Sequence, residues 1–507
     1  MASLTKSLVV TMAASAGVAA AESAYSPAVA CEFLSGHYPN ITSYPNQTMY
    51  IQQNEDYWSA AASLGPACIF APTSAELMGA AVKALVEYNT PFAIRGGGHM
   101  AIPGAANINS TGVLLSSANL NQLELSEDKS SVAVGPGNRW GDVFNYLEPY
   151  GLAVVGGRMS IVGVPGLLMG GGISNFGNEY GWSSSNIDAY TCVLSNGDVV
   201  EANATNEHAD LFWALRGGGN SFCLITNFQL RTISVPVMTA GQRAYGTGDE
   251  VGTKFLDAVY AMATNPSPDV KGALTPLVRI GDAINGTSYN AMLFYNGNAT
   301  APAFFANFSA PVLAPEQDTF AVTSGMGAAA AAMSAGTDQV RGLREGWWVL
   351  SLAADRAAMQ IVHDTYVATA ARYFANSTGW ISALAYNIVS KEFVVAGLRD
   401  GGDPMGLDPN EAPFLWIEES ITWSSAEDDA TVQAFYEAVN AELTARLEPL
   451  GVLHRFLYMN DVNQKQDVFA GYPRSSVQLL KMVRDKYDPD RVFTEQMPGG
   501  FKVANAQ

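Results

Sequence analysis

Three glycine clusters, each joined to a short apolar strand, constrain this 507-residue chain more than any other feature. The first is Gly96-Gly97-Gly98, which follows Phe92-Ala93-Ile94-Arg95 and precedes His99. The second runs from Gly156-Gly157 through Gly163 and Gly166 to Gly170-Gly171-Gly172. The third is Gly217-Gly218-Gly219, which leads into the apolar stretch Phe222–Leu230. Glycine lets backbone N–H groups approach an anion with no Cβ in the way. A lone glycine turn means little, but three clusters within about 125 residues fit one long, phosphate-bearing ligand. Two short nucleotide patterns are missing. There is no G-x-x-x-x-G-K followed by Ser or Thr, and no G-x-G-x-x-G opening a helix with an acidic residue about 20 positions on. A P-loop hydrolase and a Rossmann dinucleotide site are thereby disfavoured. The 27 Lys and Arg stand against 47 Asp and Glu, a net charge of −20. Such a surface repels phosphate backbones and excludes nucleic acid as a partner.

Around the glycines the chain reads as alternating strands and helices. Cys68–Ala71 is an apolar strand ended by Pro72. Thr73 and Glu76 have capping-box spacing, and Leu77, Val82, Leu85 and Val86 give the following helix its stripe. Further strands are expected at 113–115, 132–134 and 153–155, with a helix over 140–150 stopped by Gly151. Strands 187–194 and 199–201 flank Asn196-Gly197, a hairpin turn signal. After about Val235 the glycine triplets stop. Helices are expected at 254–262, 355–375 and 427–447, and strands at 292–295, 380–389, 393–396 and 414–423. This is the pattern of an antiparallel sheet backed by helices. The Ala/Gly stretch 325–336 is compatible with a helix or a loop. A strand at 455–459 and a helix at 474–486 close the chain.

Lys6 followed by an apolar run from Leu8 to Ala21, with Ala19 and Ala21 before Glu22, reads as a secretory signal peptide. The expected location is extracellular, with no membrane partner. Eight N-x-S/T sequons agree with export: Asn40, Asn46, Asn109, Asn203, Asn285, Asn298, Asn307 and Asn376. Of the four cysteines, Cys31 and Cys68 flank the start of the mature chain and are expected to form a disulfide. Cys192 and Cys223 read as small buried hydrophobes, and their pairing stays open. The five histidines are scattered without metal-site spacing, so no metal is expected.

The segments Arg95–His99, Gly157–Gly172 and Gly219–Phe228 resemble the FAD-binding (PCMH-type) module of the vanillyl-alcohol-oxidase superfamily. Phe456–Phe493, with Tyr458-Met459-Asn460 and Tyr487-Asp488-Pro489, is similar to the berberine bridge enzyme-like branch, and Met497–Val503 to its fungal secreted members. The resemblance implies an α+β, two-domain flavoprotein. Residues 1–21 would be the leader, 22–63 an N-terminal arm, and 64–237 the FAD domain. Residues 238–454 would form the substrate domain, and 455–507 a segment returning to the FAD domain.

What the resemblance implies for the site is specific. FAD would be bound by Arg95, Gly96, Gly97, Gly98, Met159, Ser160, Val162, Gly163, Gly166, Gly170, Gly172, Ile225 and Asn460. His99 matches the histidine that bonds covalently to the flavin. Many relatives carry a second link from a cysteine four residues before the glycine matching Gly163. Met159 stands there, so a single link through His99 is expected. Val162 occupies a position where Val accompanies oxidases and larger residues accompany dehydrogenases. Glu418, five residues before Trp423, matches a catalytic acid or amide. Relatives that read Tyr-x-Asn-Tyr use the second tyrosine as base, whereas this chain has Asp461. The expected activity is oxidation of a hydroxyl-bearing small molecule by FAD and O2, giving H2O2, with Glu418 and Asp461 as the proton-accepting candidates. A dehydrogenase using another acceptor is the first alternative. A non-catalytic glycoprotein that retains the fold is the second.

Overall fold

The computed structural model describes residues 27–506 except 266, 285 and 324. The leader expected at 1–21 and the Asn285 sequon lie outside the described residues. Two sheets carry the glycine loops. In the first, Cys68–Phe70, Val113–Ser116 and Phe92–Arg95 lie parallel, with Thr42–Ser43 antiparallel at the edge. Its strands are short, apolar and buried, as expected for parallel strands covered on both faces. Helix Ala75–Glu87 makes the crossover and buries Met78, Val82 and Leu85. Its cap is Ser74, one residue after Thr73. The Ser74 Oγ accepts from the Leu77 N–H at 3.3 Å, the N-cap-to-N3 bond of a helix start.

The second sheet is built on the long strand Leu224–Ser234, which pairs antiparallel with Ser131–Val134, Leu152–Val154 and Ile187–Val193. The hairpin Ile187–Val193 to Val199–Asn203 turns at Gly197, whose φ of +76° is costly for any residue with a Cβ. Cys31 and Cys68 form a disulfide that ties helix Pro27–His37 to the first sheet.

The third sheet is eight-stranded and antiparallel. Its central order is Met238–Thr247, Ser288–Tyr295, Gly272–Gly281, Trp380–Val389, Phe414–Trp423 and Arg344–Ala353. Helices Asp249–Thr264, Arg356–Tyr373 and Asp429–Leu447 cover one face, through a core that includes Phe255, Val259, Met359, Tyr366, Phe435 and Val439. The other face looks back at the glycine loops. Because side chains alternate along a strand, neighbouring residues divide between core and cavity.

Three segments differ from the sequence expectation. Residues 393–396 lie in helix Lys391–Gly397 rather than a strand, capped by the Ser390 Oγ accepting from Phe393 N–H at 3.0 Å. A four-residue apolar run cannot separate the two periods, and Phe393 meets Trp182 edge-on at 4.7 Å in either case. The Ala/Gly stretch is helix Met326–Asp338, which buries Met326, Ala329, Ala330 and Met333. Residues 455–459 form no strand. The chain there is irregular, and a turn closes with Asp461 N–H donating to Tyr458 O at 3.0 Å.

Candidate functional site

A cavity of about 610 Å³ runs between the glycine loops and the open face of the third sheet. That size suits a buried small-molecule site. Its loop side holds Gly96, Gly97, Gly98, His99, Met159, Val162, Gly163, Gly166, Gly170, Ile225, Asn460 and Asp461, and its sheet side includes Glu418. Most of the sequence-derived candidates therefore meet in one chamber. Arg95, Ser160 and Gly172 do not line it. The buried Arg95 guanidinium pairs with Asp56 at 3.2 Å and donates to Ser116 Oγ and to the Gln53 and Asp56 carbonyls, so it ties the arm to the first glycine strand. Ser160 is held by Ser334 of helix Met326–Asp338, through N–H and Oγ contacts of 2.8 and 2.9 Å. Gly172, at φ +84°, packs behind the wall against Leu167 and Ser183.

The first two loops touch backbone to backbone. A Cβ on Gly97 would fall 2.4 Å from the Gly163 Cα, and one on Gly170 would fall 2.3 Å from the Asn460 side chain. Nothing lies within 4 Å of where a Gly166 Cβ would sit. Cradles of bare backbone, opening on a long cavity, fit the phosphate-bearing FAD that the loops suggested. His99 stacks on Trp58, with ring centroids 4.4 Å apart, and Trp58 stacks on Trp347 at 5.2 Å. Burial, then the charges of Arg341 and Arg139, push the His99 pKa down to about 3. The imidazole is thus neutral across the ordinary pH range and keeps a nitrogen lone pair. Met159 packs with Leu277, Met292, Met333 and Ala385, and Thr337 Oγ1 approaches its sulfur at 3.7 Å. It offers no thiolate at this position.

Glu418 and Glu419 divide as strand alternation requires. Glu419 points into helix Asp429–Leu447, where its Oε2 accepts from Asn440 Nδ2 at 2.9 Å. Glu418 faces the cavity, where it meets Asp461. Burial raises both pKa values. The charge of Glu418 raises Asp461 further, while Arg158 opposes the shift at both. Arg158 is held by Thr275 Oγ1 at 2.7 Å and Asn387 Oδ1 at 3.1 Å. Asp461 also accepts from Trp416 Nε1 at 3.2 Å. Two carboxylates facing one another disfavour the doubly ionised state.

Tyr458 belongs to the same wall as Asp461. Its hydroxyl accepts from Ile173 N–H and Asn460 Nδ2, each at 3.0 Å, and burial raises its pKa. The irregular backbone at 458–461 lets Tyr458, Asn460 and Asp461 all reach the chamber. Sequence reasoning missed Arg158, Trp58, Trp347, Arg279 and Glu345. Glu345 is buried, its Oε2 accepts from Thr422 Oγ1 at 2.5 Å, its Oε1 has no partner, and burial lifts its pKa to about 8. Arg158 lies inside a loop whose glycines were plain, and its charge was the available signal.

Residues 66–203 match the FAD binding domain family. The chain is 34% identical over 496 residues to the FAD-dependent monooxygenase prx3 of Penicillium roqueforti, with 94% of each chain covered. Among solved structures, it superposes on the xylooligosaccharide oxidase of Myceliophthora thermophila with a TM-score of 0.74, at 19% identity, over 94% of this chain and 99% of that one. The berberine bridge enzyme of Eschscholzia californica gives the same TM-score at 15% identity, over 94% of this chain and all of the other. With the relative aligned end to end and the glycine loops and carboxylates gathered in one chamber, the chain belongs to the family of FAD-dependent oxidoreductases that includes prx3, and it shares the fold of the berberine bridge enzyme.

Proposed function

We propose that this protein is a secreted oxidase that removes a hydride from a hydroxyl-bearing small molecule. The observation that carries the reading is the meeting of Glu418 and Asp461 beside Arg158 in a buried chamber. FAD, when bound, would supply the hydride acceptor, with O2 as the terminal oxidant giving H2O2. The chain's own residues handle the proton. Glu418 and Asp461 share one proton, which leaves one carboxylate to accept the proton of the substrate hydroxyl as the carbonyl forms. Arg158 keeps that carboxylate ionised, and the apolar walls exclude bulk water.

His99 would hold the cofactor through one covalent bond. Its neutral imidazole supplies the nucleophilic nitrogen, and Met159 leaves no second attachment. The small side chain of Val162 at the cavity wall agrees with access for oxygen. Export is supported by the Cys31–Cys68 disulfide and by the exposure of Asn40, Asn46, Asn109, Asn298 and Asn376. Asn203 and Asn307 are half-buried.

The test is anaerobic mixing of the holoenzyme with sugars, alcohols and phenolics. Bleaching of the yellow absorbance, followed by stoichiometric peroxide on admitting air, is the expected result. Bleaching without peroxide, but with dye reduction, would make the protein a dehydrogenase. No bleaching with any substrate would favour a non-catalytic glycoprotein. The name of the Penicillium relative favours a monooxygenase as a further reading. Heavy-oxygen label from O2 recovered in the organic product would establish it.

A further inference from the structure

Arg279 is a cationic cavity residue that neither the cofactor nor the proton chemistry uses. It lies on strand Gly272–Gly281 and lines the chamber. Arg158, the other arginine lining the chamber, faces Glu418 and Asp461. Arg279 has no such partner. Burial lowers its pKa, and among the described residues no acid stands near enough to oppose the shift. Arg279 is half-buried at the cavity wall with no counter-charge opposing its desolvation, so an anion that arrives with the ligand and covers it gains a charge-assisted bond.

The register says where that anion would lie. Arg279 pairs across to Ala383, Ala383 to Ser420, and Ser420 to Trp347. One step along, Leu277 pairs to Ala385 and Ala385 to Glu418. Arg279 is thus two strands across and two residues along from Glu418, roughly 12 Å between Cα atoms at ordinary sheet spacings. The intervening strand offers the cavity only Ala383 and Ala385 at these positions. Alanine is a poor strand former, but here it leaves a trough between the cation and the carboxylate. Gln242 and Ser420 add neutral polar groups to the lining, while Leu277, Met292 and Met333 are apolar.

We infer that Arg279 is a specificity-determining residue that binds an anionic oxygen of the substrate, a carboxylate or acidic enolate carried on an apolar skeleton. Two strands and two residues of separation between the side chains suit a compact ligand, on the order of one substituted ring, that meets both groups at once. A neutral sugar leaves the guanidinium unpaired and is disfavoured. The inference rests on reading the cavity as the substrate chamber.

The probes are para-(hydroxymethyl)benzoate and its neutral amide, para-(hydroxymethyl)benzamide. Binding to the holoenzyme is read from the visible flavin spectrum and from quenching of tryptophan fluorescence, so no turnover is needed. Failure of oxidation and failure of the anion site therefore give different results. The wild type is expected to bind the benzoate about tenfold or more tightly than the amide, as charge-assisted pairing predicts. Arg279→Met abolishes that preference, chiefly by weakening the benzoate, while an unchanged visible flavin spectrum reports an intact fold. Arg279→Lys retains part of the preference. Equal affinity of the wild type for the two probes, or a preference that survives in Arg279→Met, overturns the inference.

Discussion

Replacing Glu419 by Gln tests whether a buried acid behind the cavity sheet sets the pH dependence of stability. Glu419 has no exposed surface, one hydrogen bond from Asn440, and an Oε1 without a partner. Burial lifts its pKa from 4.5 to about 8, with the Asn440 bond opposing. Between these values the unfolded chain releases a proton that the folded chain keeps. Stability is therefore fully present below pH 4.5 and is lost as pH rises through about 8. The slope is about 1.4 kcal/mol per pH unit for one proton. At about pH 7.5 the cost reaches on the order of 4 kcal/mol, against less than about 1 at about pH 5. Gln fills the same space, accepts from Asn440, and puts an amide where the protonated carboxyl already leaves its O–H without an acceptor. Glu419→Gln should therefore change little at about pH 5 and stabilise by about 3 kcal/mol more at about pH 7.5. Urea unfolding at the two pH values reads the difference. An effect of equal size at both would refute the assignment of the raised pKa to Glu419.

Glu418→Gln should slow flavin reduction about 10²–10⁴-fold in anaerobic stopped flow while the yellow colour stays. An unchanged rate would remove Glu418 from proton transfer. Gly97→Ala places a Cβ 2.4 Å from the Gly163 Cα, a backbone clash that neither loop can relieve by rotating a side chain. The variant should lose most of its flavin, read as the ratio of visible to ultraviolet absorbance. The Cys31–Cys68 bridge joins positions 37 apart. Cys31→Ala with Cys68→Ala should cost about 4 kcal/mol by loop-closure entropy, seen as a lower urea midpoint.

How much of this was legible depended on whether the neighbours in sequence were also the neighbours in space. Strands Trp380–Val389 and Phe414–Trp423 were placed to the residue, because long alternating runs carry their own period. The glycine loops were legible as an anion cradle for the same local reason. Strand Arg344–Ala353 was not, although it pairs along its whole length with Phe414–Trp423. It follows directly on the Ala-rich stretch, and its Trp347-Trp348 pair gives no alternation. With it went Glu345 and Trp347, which face the chamber from that strand. Residues 455–459 read as a strand, but the chain there is irregular and its Arg455 guanidinium is spent on the carbonyls of Gly406 and Gly471. Arg158 and Arg279 show the deeper limit. Each is one charge in a long chain, and its meaning lies in which acid stands opposite after folding.

That opposition also sets the charge of the chamber. Glu345, at about 8, is protonated near neutral pH, and His99, at about 3, is neutral. Burial raises the pKa values of Glu418 and Asp461, Arg158 stands against that pair, and no acid opposes Arg279, inside a protein whose net charge is −20. A bare acidic surface disfavours the approach of anions, so an unopposed cation on the cavity wall does not serve general attraction. Its field is felt at short range, where low dielectric strengthens it and where a ligand has already shed water. A group placed there would discriminate between bound molecules rather than gather them, and the alanine trough connects that discrimination to the carboxylate proposed to take the proton.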